Sequence, residues 1–310
     1  MMGSSAQSNE QEGYLGYEAN ILPHSEFILR ELNLDNAFLN SNNAGKELKR
    51  PKRVQYRAVI NWLKSYQTSS NISKQDQIRR LLEIFYHLCA AGDIERASKI
   101  FFMRINPPLN EELHIQLRNW ADYSKLYDIC NNFLNLLDSN IVKNESQQKI
   151  NSLKLVCLND LGNSEFSNGN CKSSQNYYKR QLKISREHRD LWGEASALVG
   201  LGNNSKLLGR HQVATDQYMS AFETASQASE QKLKMLALSG LGSIQIDLGH
   251  YELATEYFRK HLSIAEETSD KLGKVEALTA LGNAYSLMKD FELAIEYHLR
   301  ALKIAHALEN

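Results

Sequence analysis

Between residues 147 and 310 the apolar positions follow a helical period, and that pattern itself recurs every forty residues. Leu158, Leu198, Leu238 and Leu278 each stand just upstream of a Leu-Gly pair, at Leu161-Gly162, Leu201-Gly202, Leu241-Gly242 and Leu281-Gly282. Asn163, Asn203 and Asn283 follow the pair, with Ser243 in the third copy. Further on come a small residue (Ser174, Ala214, Ala254, Ala294), a ring (Tyr178, Tyr218, Phe258, His298) and a large apolar residue (Leu182, Phe222, Leu262, Leu302). A second small residue closes each copy at Ser185, Ala225, Ala265 and Ala305. Columns held in one register without an insertion mark an internal repeat. Such a unit cannot bury its own stripe, so neighbours must stack.

Each copy predicts two helices. In the third, Lys232–Leu248 carries apolar residues at helical spacing and stops at Gly249, because glycine past a helix end accepts the left-handed conformation that closes the last turn. Gly169 and Gly209 stand at the equivalent places, and Lys289-Asp290 replaces glycine in the last copy. Tyr251–Thr268 predicts the second helix, with Ala254, Tyr257, Phe258, His261, Leu262 and Ala265 on one side. Residues 109–310 contain no proline, which suits an unbroken run of helices.

The N-terminal part reads differently. Residues 1–50 are expected to be largely disordered, polar and basic. Within them, residues 25–40 can form one short amphipathic helix, and the basic run Lys46–Arg53 reads as solvated linker rather than a nucleic-acid or membrane contact. Residues 51–140 predict helices at Val54–Tyr66, Lys74–Ala91, Asp93–Met103, Glu111–Tyr123 and Ser124–Leu137. The pair around Gly92 looks like a degenerate copy of the repeat, with Ala97 and Phe101 in the small and aromatic columns. Asp138–Gln148 reads as a linker before the four copies of 147–310.

The columns Leu-Gly, Gly, Ala and aromatic resemble the tetratricopeptide repeat. The forty-residue spacing and the Leu-Gly-Asn tripeptide are similar to the long-repeat subclass of kinesin light chains and spindle-orientation adaptors. The proline common near the end of such repeats is absent. Arg53–Leu137, with RVQYRAVINWLKSYQ and RRLLEIFYHLCAAGDIERASKIF, resembles the helical region before repeat arrays in cyanobacterial signalling proteins of the NB-ARC type; their ATPase is absent from this chain. The resemblance implies an all-α, right-handed α-solenoid of helix hairpins behind a helical N-terminal region, whose first helices line a concave groove.

Composition excludes several alternatives. The chain has 310 residues, 42% of them hydrophobic, with 36 basic and 36 acidic side chains, so no global charge draws it to nucleic acid or anionic lipid. No apolar run is long enough for a membrane span, and the polar N-terminus does not read as a secretory signal, so a cytoplasmic chain is expected. Cys89, Cys130, Cys157 and Cys171 lack metal spacing and read as free thiols in helices. Gly200-Leu201-Gly202 lies inside a helix and so is not a dinucleotide loop, and Gly45-Lys46 lacks the rest of a phosphate loop. The histidines form no zinc motif, and His298 in the aromatic column reads as core. No metal, no cofactor and no enzymatic activity are expected.

The expected function is an adaptor or scaffold that binds a protein or peptide segment in the groove. The alternative is a peptide-sensing regulatory module, in which the N-terminal region passes the signal on. Asn163, Asn203, Ser243 and Asn283 should point into the groove, with Lys206, Ser239, Glu276 and Thr279 nearby. An amide donates and accepts at once, so it can bond an extended backbone. Equally, these amides can tie neighbouring repeats together. On the first reading, alanine at two of them should weaken binding and barely move stability. Residues 161–240 carry ten basic and seven acidic side chains and residues 241–310 seven and eleven, a polarity that would orient a charged partner. At the C-terminal flank, Leu302, Ala305 and Leu308 are expected to form an interface with a second copy or a partner domain.

Overall fold

Left-handed residues punctuate the chain into hairpins. Gly169, Gly209 and Gly249 adopt φ of +78°, +69° and +78° between the two helices of successive repeats, and Lys289 takes the same role at +65°. Between repeats, where proline is missing, Arg189, Ser229 and Ser269 adopt φ of 55–57°. The next backbone N–H then reaches back one full turn, from Asp190 to the Ser185 carbonyl, Glu230 to Ala225 and Asp270 to Ala265, each at 2.9 Å. This closure satisfies the last helical carbonyls without proline. Asp190 and Asp270 also open the following helix, accepting from Gly193 N at 2.7 Å and Gly273 N at 2.9 Å.

The computed structural model describes residues 28, 32, 34, 50–65, 74–105, 111–120, 122–139 and 146–309. The helices before the repeats are α1 (Arg50–Ser65), α2 (Lys74–Ala91), α3 (Ile94–Phe101), α4 (Leu113–Asn119) and α5 (Tyr123–Asp138). The repeats follow as α6 (Gln147–Ser167) with α7 (Cys171–His188), α8 (Leu191–Leu207) with α9 (His211–Gln227), α10 (Gln231–Asp247) with α11 (Tyr251–Glu267), and α12 (Lys271–Leu287) with α13 (Phe291–Glu309). Each helix packs on the next, and the first helices α6, α8, α10 and α12 also touch in sequence. The result is an all-α helical-repeat solenoid.

Three boundaries differ from the expectation. Helix α1 starts at Arg50, so Arg50–Arg53 of the basic run is helical; Pro51 sits in the first turn, where its missing N–H costs nothing. Glu111–Glu112 pairs antiparallel with Arg104–Ile105 as two-residue strands, β1 (Arg104–Ile105) and β2 (Glu111–Glu112), and does not begin a helix. The segment expected as one helix to Tyr123 breaks after Asn119 because Asp122 caps α5, accepting from Lys125 N at 3.3 Å. The expected disorder of residues 1–24, most of the segment 25–40 and Lys46–Lys49 lie outside the described residues. Of that region Ile28, Leu32 and Leu34 are buried in the core cluster shared by α1–α6.

The glycines after the leucines serve close helix packing. A Cβ on Gly162 would stand 2.6 Å from the Tyr178 ring, one on Gly202 2.7 Å from Tyr218, one on Gly242 2.5 Å from Phe258 and one on Gly282 2.6 Å from His298. The same rings are approached from the next repeat: Cβ atoms on Gly200 and Gly240 would stand 2.3 Å and 2.4 Å from Tyr178 and Tyr218. Each tyrosine is thus pressed between backbones of two repeats, which fixes the stacking step.

Candidate functional site

The first helices carry the polar column. Asn163 and Asn203 are half-buried, and their Oδ1 atoms accept from the ring partners of their own repeats, Tyr178 Oη at 2.8 Å and Tyr218 Oη at 2.6 Å. The third repeat has Phe258, which lacks a hydroxyl, and there the column holds Ser243 instead of asparagine. The column gives up its asparagine only where the ring lacks a polar atom; in the fourth copy His298 stands with Asn283. The amide oxygen has a structural partner; the Nδ2 donor of each asparagine remains for another. The expectation that alanine here leaves stability untouched needs amending, because alanine would strand a buried phenol at a cost of about 1–3 kcal/mol.

Two hydrogen bonds tie adjacent first helices. Lys206 Nζ on α8 donates to Ser243 Oγ on α10 at 2.5 Å, and Ser196 Oγ on α8 donates to Asn159 Oδ1 on α6 at 2.8 Å. Lys206 and Ser239 are half-buried, and the Thr279 hydroxyl is turned back on its own helix, donating to the Val275 carbonyl at 2.8 Å. Asn283 is exposed. Partial burial, together with the negative field of Asp270, raises the Glu276 pKa above the usual carboxylate range, and Lys232 opposes that rise. The face thus offers amides, hydroxyls and one charge of each sign at Lys206 and Glu276.

The sequence did not single out a buried ion cluster at the junction of the N-terminal helices with the first repeat. His114 on α4 bonds Asp160 Oδ2 on α6 through Nδ1 at 2.6 Å and Glu112 Oε2 through Nε2 at 3.0 Å. Arg118 Nη1 stands 3.4 Å from Asp160 Oδ1. The imidazole stacks on Phe101 at 4.7 Å, and Phe102 closes it edge-on. Burial opposes the imidazolium, but the two carboxylates bonded to it outweigh burial and hold the pKa above its ordinary value. Asp160 occupies the column that reads Gly200, Gly240 and Ala280 in the later copies; that departure was the available signal.

At the C-terminal flank Leu302 and Leu308 are exposed and Ala305 is half-buried. The four cysteines are free thiols; Cys130 and Cys157 are buried and Cys89 and Cys171 half-buried. Among the described residues no helix is long and apolar enough to cross a membrane.

Residues 234–307 match the tetratricopeptide repeat family. No curated protein matches the sequence. Among solved structures, the chain is similar to a Rap protein complexed with Competence and Sporulation Factor, at 18% identity over 92% of this chain and 78% of that one, with a TM-score of 0.57. It is likewise similar to the Rap conjugation gene regulator of plasmid pLS20 in complex with the Phr* peptide, at 14% identity over 92% and 73%, with a TM-score of 0.58. BtubC from P. vanneervenii aligns at 16% identity over 84% and 92%, with a TM-score of 0.52. At these identities the likeness establishes the fold. With the family match, it supports a tetratricopeptide-repeat protein.

Proposed function

We propose that this chain is a protein-interaction module that binds a peptide segment, or an extended segment of a partner protein, along its first-helix face. The observation that carries the reading is the polar column. Asn163, Asn203, Ser243 and Asn283 recur once per repeat on adjacent helices, and the bonded asparagines still present a free amide donor. Donors at a regular step suit the carbonyls of an extended backbone, with Lys206 and Glu276 giving a charged segment one preferred direction. Two proteins of similar fold were solved in complex with Competence and Sporulation Factor and with the Phr* peptide, which favours a peptide ligand here.

Asparagine to aspartate separates recognition from packing. Asn163→Asp with Asn203→Asp keeps an oxygen for each tyrosine and replaces the outward donor with a charged acceptor. The pair should weaken peptide binding by about 1–3 kcal/mol, roughly 5- to 150-fold in Kd. Titration calorimetry with a captured segment, beside thermal melts, reads both quantities. Unchanged binding with a lowered melting temperature would make the column purely structural.

A peptide-sensing regulator is the second reading, favoured by the His114–Asp160 contact, which joins the repeat array directly to the N-terminal helices. Under it, segment binding should change amide exchange in α2–α5. An adaptor would leave those amides unchanged.

A further inference from the structure

Helix α7 differs from the other second helices in what it shows to solvent. Lys172, Lys179, Lys183 and Arg186 are exposed and, with Asn176, fall within about 80° of arc, so they form one stripe. The buried side of the helix, with Ser174, Tyr178, Gln181 and Ser185, turns the other way. Positions equivalent to these four cations are exposed in every repeat, so packing asks for no particular residue there. No later helix repeats the stripe. At those positions α9 has Gln212, Met219, Glu223 and Ser226, while α11 and α13 keep one cation each, Arg259 and Lys303.

These cations are only partly answered from within the chain. Arg186 Nε bonds Glu194 Oε1 at 2.8 Å, and Lys183 Nζ stands 3.9 Å from Glu187 Oε1. Lys172 and Lys179 pair with no carboxylate among the described residues. Beside the stripe, Arg180 Nη2 stands 3.6 Å from Asp138 Oδ2, on a carboxylate whose other oxygen Lys154 holds at 2.5 Å. A shallow depression of about 630 Å³ opens there, lined by Ser173, Asn176, Tyr177, Lys179, Arg180 and Lys183. Tyr177 is half-buried, its hydroxyl 3.3 Å from that of Tyr127 on α5. Three cations, a hydroxyl and an amide thus converge on one depression.

The boundaries of the positive face define what fits it. Asp138 bounds it at the end of α5, and the next second helix, α9, carries Asp216 and Glu223 with no lysine or arginine. A nucleic-acid backbone continuing across the array would meet those carboxylates, and no exposed aromatic ring stands on the stripe to stack a base. From Lys172 to Arg186 the helix rises about 21 Å, the span of roughly six residues of extended chain. We infer that the exposed face of α7 docks a short acidic segment of a partner protein. Lys172, Lys179, Lys183 and Arg186 answer its carboxylates, and Ser173 and Asn176 reach its backbone. This surface is separate from the first-helix column and does not rest on the function proposed for that column.

Fluorescence anisotropy of the full chain with a labelled peptide of six glutamates flanked by Gly-Ser tests this. At low salt a Kd on the order of 10–100 μM is expected, and raising salt to about 500 mM should weaken it at least tenfold. Lys179→Glu with Lys183→Glu should weaken binding at least about tenfold with unchanged circular dichroism, since both side chains are exposed. Lys172→Gln with Lys179→Gln, which removes charge without reversing it, should cost about three- to fivefold. Lys260→Glu with Lys303→Glu changes the net charge as much as the first pair and should leave Kd within about twofold. Absence of saturable binding below about 1 mM overturns the inference, and so does an equal loss in the two charge-reversed pairs. A short single-stranded oligonucleotide bound more tightly than the peptide through the same lysines would also overturn it, making α7 a nucleic-acid surface. Asn163→Asp with Asn203→Asp should not move this Kd, so failure of the first-helix reading leaves the result standing.

Discussion

Asp160→Ala is expected to destabilise the chain by about 3–5 kcal/mol, the cost of leaving a buried ion without its partner. Asp160 is fully buried and His114 nearly so, and the 2.6 Å bond between them crosses from α6 to α4. Removing the carboxylate leaves His114 with Glu112 alone and Arg118 without its contact, inside an apolar shell that includes Phe101 and Phe102. The loss should be focused on the junction. In urea the N-terminal helices should then detach before the repeats, giving two transitions in place of one. A single transition shifted by less than about 1 kcal/mol would show that the cluster contributes no more than surface pairs do.

The same cluster predicts a pH dependence. The folded pKa of His114 is raised, so its contribution is fully present below the unfolded value of about 6.5 and is lost as pH rises through the folded value. His261 works the other way: burial lowers its pKa, against the field of Asp270, so its neutral form is favoured and stability is lost as pH falls below the unfolded value. The wild-type curve sums both, whereas the difference between wild type and Asp160→Asn isolates the junction. That difference should shrink as pH rises from about 6 to 9. A difference independent of pH would place a neutral imidazole there.

Much of the array was legible because every repeat must solve the same packing problem. Gly162, Gly202, Gly242 and Gly282 each meet a ring from their own repeat, so the Leu-Gly column and the aromatic column had to be kept together. Left-handed glycines at 169, 209 and 249 could be read from their place after an apolar run. What could not be read was how a polar column is used. Asn203 can face outward or bond Tyr218, and both satisfy the same spacing; the structure shows the oxygen bonded and the donor left. That asparagine stands in every copy whose ring carries a polar atom (Tyr178, Tyr218, His298), and serine in the copy with Phe258, was a regularity already present in the sequence. The N-terminal helices offered no such repetition. Helix α4 is only seven residues long and follows a two-residue strand, and its start is set by pairing with Arg104–Ile105, a contact without periodicity. His114 therefore looked like one more isolated histidine. Its significance came from Asp160, 46 residues away.

Gly242→Leu should be at least as damaging as Leu238→Ala, which truncates a side chain 3% exposed in the same helix and should cost about 2–5 kcal/mol. The added Cβ alone would stand 2.5, 2.8 and 2.9 Å from three atoms of the Phe258 ring, and three further carbons would have to follow it. The ring cannot retreat freely, because Ala280 of the next repeat packs against the same cluster. The helices must part instead, and overpacking of this kind breaks the stacking step between repeats as well as the hairpin. The tyrosine repeats allow a finer test. Gly240→Ala places a Cβ 2.4 Å from Tyr218 Cζ, the carbon that bears the hydroxyl bonded to Asn203. It should cost about 1–3 kcal/mol even though alanine is the better helix former by about 1 kcal/mol. Tyr218→Phe frees the ring from Asn203 and reproduces the third repeat, where Phe258 coexists with Ala280. In that background Gly240→Ala should cost measurably less, a coupling of at least about 0.5 kcal/mol in a double-mutant cycle. Additive losses, or a fully folded Gly242→Leu chain by circular dichroism and thermal melt, would mean that the glycines are not held by these rings.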